Sequence, residues 1–167
     1  YIGIRRTDYP MKTVGRKFDD ELLQKIYDVS EYTIKCCMHE HYEDCPWREQ
    51  ALYGMDSHNQ MLFGYGAFDE YEYPRAAIKL MARSMRKDGF LQLCSPSETP
   101  ITIPSFTAYW LIAIAENAKA DYNAEFVAEM LPYAEKSLRA FIDNTDGGGV
   151  GIFVKTPFWN FHEWSDG

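Results

Sequence analysis

A helix, an Asp-Gly turn and a short β-like run occur twice in this chain, and that repetition constrains its fold more than any other feature. The two units run from Pro74 to Leu93 and from Asn123 to Val154, with Asp88-Gly89 answered by Asp146-Gly147 58 residues later. A further helix precedes each unit, at Ala51 to Glu70 and at Pro104 to Lys119. Helix pairs repeating at a period near 50 residues indicate a helical toroid or solenoid, in which each pair buries its apolar face against the next.

Ahead of the repeat, residues 1–17 read as an extended segment and linker leaving a preceding module, and the helical part is expected over 18–167. Asp19 or Asp20 can cap the first helix, with Leu22, Leu23, Ile26, Tyr27 and Ile34 as its apolar stripe up to about Cys37. Gly54, Gly64 and Gly66 interrupt the helix expected over 50 to about 70. Each costs roughly 1 kcal/mol relative to alanine. Close packing against a neighbouring helix offsets that cost, as does a bare face under a bound ring. Pro74 opens the next helix, which carries Ala77, Ile78, Met81 and Met85 and ends at Lys87-Asp88-Gly89.

The chemistry concentrates in Asp44-Cys45-Pro46-Trp47-Arg48-Glu49-Gln50, followed by Asp56: three carboxylates and an arginine within thirteen positions. Pro46 fixes its own φ and drives Cys45 toward an extended conformation, so a helix is expected to start at Pro46 or just after it. Glu49 would then lie in the first turn, with Tyr53 and Asp56 stacked on its face. Acids beside rings suit a sugar-cleaving site, where one carboxyl protonates a leaving oxygen, others hold hydroxyls and rings cover the pyranose. The competing account is a helix N-terminus whose acids favour the macrodipole, with Arg48 as a surface partner.

Charge and composition exclude several partners. A net charge of −8 argues against nucleic acid, because phosphate binding needs a basic surface. No apolar run approaches the roughly 18 residues of a membrane span. Cys36, Cys37, Cys45 and Cys94 lack metal-ligand spacing, and His39, His41 and His58 supply no helical i, i+4 pair, so neither a metal nor a cofactor is expected. The run Gly147-Gly148-Gly149-Val150-Gly151 has no Lys-Ser/Thr after it and reads as a tight turn. Aromatics make up 16% of the chain, and they serve cores as readily as sugar sites. Trp110, after Phe106 and Tyr109 on one helix, fits both uses.

The Asp-Cys-Pro-x-Arg-Glu run with its following Tyr and Asp resembles the signature of bacterial α-L-rhamnosidases of glycoside hydrolase family 78. Glu40-His41-Tyr42-Glu43, Ser57-His58-Asn59-Gln60 and Trp159-Asn160-Phe161-His162-Glu163-Trp164 extend the resemblance over most of the chain. Tyr53 stands where many members have tryptophan, and Met55 separates Gly54 from Asp56. The resemblance implies an all-α (α/α)6 six-hairpin toroid, of which this chain is about the first half, and an inverting hydrolase of terminal α-L-rhamnose. It implies Glu49 as general acid and Asp44, Arg48, Tyr53, Asp56, Trp110 and Trp164 as substrate-binding residues. The base is implied to be a glutamate far downstream, and the implied partners are a rhamnose-containing carbohydrate and other modules of the same polypeptide. Nearby carboxylates are expected to keep Glu49 protonated, with Arg48 opposing them. The alternative is a carbohydrate-binding or scaffold domain of the same fold without catalysis, which would have no need for an acid at position 49.

Overall fold

The computed structural model describes residues 2–3, 7–149, 151–153 and 157–161. These form five helices: α1 (Glu21–Cys36), α2 (Gly54–Phe68), α3 (Glu72–Arg83), α4 (Pro104–Ala120) and α5 (Ala124–Asp143). Between them lie isolated β-bridges. No described helix is long and apolar enough to cross a membrane.

Side-chain caps set several helix starts. Asp20 accepts the Leu23 N–H at 2.8 Å and Asn123 accepts that of Phe126 at 2.9 Å, each satisfying a donor the helix itself leaves free. α3 starts at Glu72, two residues before Pro74, because the Glu70 carboxylate accepts the N–H groups of Glu72 and Tyr73 at 2.8 and 3.0 Å. Pro74 therefore sits inside the first turn. The helix stops at Arg83, short of the expected Lys87-Asp88-Gly89, where Ser84 folds its hydroxyl back to donate to the Met81 carbonyl.

α2 and α4 pack on each other as the inner pair, with α1 against α2 and both α3 and α5 against α4. Their sequences suit that layer: α4 is apolar on nearly every side, and α2 carries small residues where it meets its neighbour. Gly54 is the closest approach, since a Cβ there would stand 2.5 Å from the Phe106 carbonyl oxygen. Gly64 and Gly66 have ordinary or open surroundings, so of the three glycines only Gly54 answers to helix packing. Gly54→Ala is expected to lower stability by about 1–3 kcal/mol through overpacking, read from the midpoint of denaturant unfolding. Unchanged stability would mean that α2 and α4 separate freely at this point.

Trp110 is fully buried between α4 and α3, with its indole N–H donating to the Ile78 carbonyl at 3.0 Å. Met61, Ala77, Ile78, Met81, Phe126 and Met130 belong to the same core. The expectation that Trp110 walls a sugar pocket is thus corrected: its ring is enclosed and its one donor is spent on a helix carbonyl. α1 also departs from expectation. Only Ile34 of its stripe is buried, and Leu22, Leu23 and Ile26 are exposed. Ahead of α1, Tyr9 and Met11 pack against the core, with the Tyr9 N–H donating to the Met38 carbonyl and the Tyr9 ring 4.4 Å from that of Tyr73.

The repeat is real, but its register differs from the one the Asp-Gly pairs suggest. Met85 bridges Leu91 after α3, and Thr145 bridges Gly151 after α5. Gly89 and Gly149 hold φ of +93° and +82°, and their N–H groups donate to Arg86 and Asp146 carbonyls. The matching glycines are therefore 60 residues apart. The left-handed backbone selects glycine at that point of the turn, whereas Asp146-Gly147 occupies an earlier position where any residue would serve.

Candidate functional site

The motif loop is where the structure departs most from the expected helix. Asp44 donates its N–H to the Ala51 carbonyl at 3.0 Å, and its Oδ1 accepts the Ala51 N–H at 2.8 Å. Those two bonds close residues 44–51 into a loop, and Gln50 completes the reversal at φ +50°. Leu52 then pairs with Ser95, whose N–H donates to the Leu52 carbonyl at 3.0 Å. Backbone groups that a helix from Pro46 would need are committed elsewhere, so α2 begins only at Gly54. Glu49 rides on the loop, Tyr53 is the N-cap residue and Asp56 lies in the first helical turn.

A second pairing brings the far end of the chain to the same place. The Thr102 N–H donates to the Pro157 carbonyl and the Trp159 N–H to the Thr102 carbonyl, both at 2.9 Å. Phe90 meets Phe158 at 5.1 Å beneath, and also Phe141 and Phe153. Trp159 and Phe161 are thereby laid beside the start of α4.

Between the two pairings is a cavity of about 180 Å³, with Asp44, Glu49, Tyr53 and Asp56 on one side. Leu93, Ile103, Phe106, Trp159 and Phe161 line the other. Its rings form a chain, Tyr53 to Phe106 at 6.1 Å, Phe106 to Phe161 at 6.5 Å and Phe161 to Trp159 at 5.2 Å. Both inner helices start at the cavity, and neither has a side-chain cap.

The carboxylates are in unlike environments. Arg48 Nη2 donates to Glu49 Oε1 at 2.7 Å and the Cys45 thiol donates to Oε2 at 3.3 Å. Arg48 first, then Cys45, hold the Glu49 carboxyl below its usual range. Asp56 goes the other way: burial pushes its carboxyl up and the Asp44 charge adds to that, against its own backbone hydrogen bond. The expectation that neighbouring acids keep Glu49 protonated is thus corrected, because a guanidinium in contact outweighs carboxylates that are not.

Of the residues singled out in the sequence, Asp44, Glu49, Tyr53 and Asp56 meet at the cavity. Arg48 is largely exposed and turned onto Glu49, and Trp110 lies in the core. Trp164 is outside the described residues, as are His162 and Glu163. Phe106, Leu93, Ile103, Trp159 and Phe161 were not assigned from sequence. The aromatic tail was a usable signal for the last two, and nothing local marks Leu93 or Ile103.

The three described histidines do not converge. His39 Nδ1 pairs with Glu43 at 2.8 Å, His41 Nδ1 with the Tyr42 carbonyl at 2.7 Å and His58 Nε2 with Glu116 at 2.5 Å. Ligand atoms of Asp44, Cys45 and Glu49 lie within 4.8 Å of one another and could hold a cation. Arg48 already supplies a positive charge to that corner.

The sequence model of the bacterial alpha-L-rhamnosidase 6 hairpin glycosidase domain matches residues 15–165. Among solved structures, a GH78 family rhamnosidase of Bacillus sp. GL1 superposes with a TM-score of 0.83 at 28% identity, covering 94% of this chain and 16% of that one. A rhamnosidase from Klebsiella oxytoca with rhamnose bound superposes with a TM-score of 0.74 at 22% identity, covering 83% and 28%. The chain thus spans under a third of either protein's length. No curated protein sequence matches it.

Proposed function

The chain belongs to the bacterial α-L-rhamnosidase six-hairpin glycosidase family, and from that premise we propose that it forms part of the sugar site of a glycoside hydrolase that removes terminal α-L-rhamnose. The all-α helix pairs are those of that fold. The observation that carries the proposal is the two-sided cavity, with three carboxylates facing a chain of aromatic rings. At about 180 Å³ it falls below the roughly 300–1,000 Å³ of drug-sized ligand pockets, a size that suits one monosaccharide.

On this reading Glu49 protonates the glycosidic oxygen, Asp44 and Asp56 accept from ring hydroxyls, and Tyr53 with Trp159 and Phe161 covers the apolar face. The mechanism is inverting, with the water-activating carboxylate supplied from elsewhere in the polypeptide. Arg48 leaves Glu49 to donate to the incoming hydroxyls, and the carboxyl regains its proton in the closed, drier site.

The Arg48 contact also favours a second account, a carbohydrate-binding domain without catalysis, because it leaves Glu49 ionised in the empty site. Hydrolysis of an alkyl α-L-rhamnoside by the full-length polypeptide, followed by NMR, separates the two. β-L-Rhamnose is expected as the first anomer released. The α anomer first would overturn inversion, and rhamnose binding without hydrolysis would establish the second account.

A further inference from the structure

Glu49 lacks the support a helix would give it. It stands on the loop before α2, and its side chain is 37% exposed. The two carboxylate oxygens have different partners. Oε1 takes Arg48, a long side chain that is itself 77% exposed. Oε2 takes the thiol of Cys45 at 3.3 Å.

These two donors restrain Glu49 unequally. The Cys45 side chain has a single rotatable bond to its sulfur, and it is half-buried. Its backbone is bracketed by Asp44, whose N–H and Oδ1 are both bonded to Ala51, and by Pro46, whose φ is fixed. A donor on so short and anchored a stem fixes an orientation, whereas a donor at the tip of an exposed arginine follows its acceptor. A thiol is also a weak, neutral donor, so it can give way when the carboxyl takes up a proton. Cys45 is not on the cavity wall.

We propose that Cys45 is a positioning residue for Glu49, its thiol aiming the carboxylate at the cavity so that proton delivery depends on a side chain outside the sugar's reach. The inference rests on Glu49 as the general acid. Among the described residues, the other charged and titratable groups around that carboxylate are Arg48 and Asp44 on the loop and Tyr53 and Asp56 at the start of α2. Arg48 bonds the opposite oxygen, and Asp44 is engaged with Ala51.

The test uses the full-length polypeptide and an alkyl α-L-rhamnoside. Cys45→Ala is expected to lower kcat by about 10- to 100-fold, the scale of a misplaced reacting group, with KM unchanged. The basic limb of its kcat profile should move to higher pH, because removing a donor to the ionised form raises the proton affinity of Glu49. Cys45→Ser should restore both, and Cys45→Ala combined with Glu49→Gln should be no slower than Glu49→Gln alone. Wild-type kcat and an unmoved limb in Cys45→Ala would overturn the proposal. So would a loss that Cys45→Ser fails to rescue and that tracks a lowered melting temperature. Wild-type turnover in Glu49→Gln would instead remove the acid assignment itself, so the two failures are distinct.

Discussion

Turnover of an alkyl α-L-rhamnoside by the Glu49→Gln variant of the full-length polypeptide is expected to fall by about two to four orders of magnitude, within the range that general acid catalysis supplies. The amide keeps the carboxylate's shape and its single oxygen can still accept from Arg48 or Cys45, so the loop closed by Asp44 and Ala51 survives while the transferable proton is lost. A nitrophenyl rhamnoside should lose less, since its leaving group needs little proton assistance. The pH dependence offers a second check. In the empty site Arg48 and Cys45 hold Glu49 low; in the proposed complex Arg48 would turn to the sugar and the carboxyl would rise. The basic limb of kcat, which reports the complex, should therefore lie at higher pH than that of kcat/KM, which reports the free enzyme. Near-wild-type turnover of the alkyl substrate by Glu49→Gln would end the assignment.

The second large effect falls on stability. Trp110→Ala removes the largest fully buried side chain of the core, leaving a void between α3 and α4 and depriving the Ile78 carbonyl of its indole donor. A loss of about 3–5 kcal/mol is expected, measured as a shift in the denaturant midpoint. Trp110→Phe should lose less, because most of the volume remains. Rhamnose affinity should be unchanged in Trp110→Phe. A variant that melts like wild type and binds the sugar more weakly would return Trp110 to the pocket.

How much of this was legible in the sequence follows the range of the interactions involved. The helix pairs could be read because caps, apolar periodicity and turn residues are local: Asp20 and Asn123 cap where they stand, and Pro104 opens α4. The Asp44, Glu49, Tyr53 and Asp56 cluster was legible because all four fall within thirteen positions. The loop that carries Glu49 was not. Asp44 and Ala51 close it, but the chain leaving it is held by Leu52 pairing with Ser95, a partner 43 residues away, and no local signal announces that bond. Trp159 reaches the cavity through Thr102 for the same reason. Trp110 was ambiguous because α4 is apolar almost all round, and periodicity cannot say which face meets a ligand. The turn register slipped because aspartate beside glycine marks a turn without saying which residue turns left-handed.

Phe90 is fully enclosed in the finished fold, yet its cover arrives late in synthesis. The rings around it belong to Phe141, Phe153 and Phe158, 51 to 68 residues further along the chain. At ribosomal rates of about 5–20 residues per second, the turn after α3 waits roughly 3–14 seconds with its central ring uncovered. During that interval the nascent chain presents an apolar surface that a chaperone can hold or another chain can join. Slower codons between positions 92 and 140 would lengthen the exposure without changing one residue of the protein.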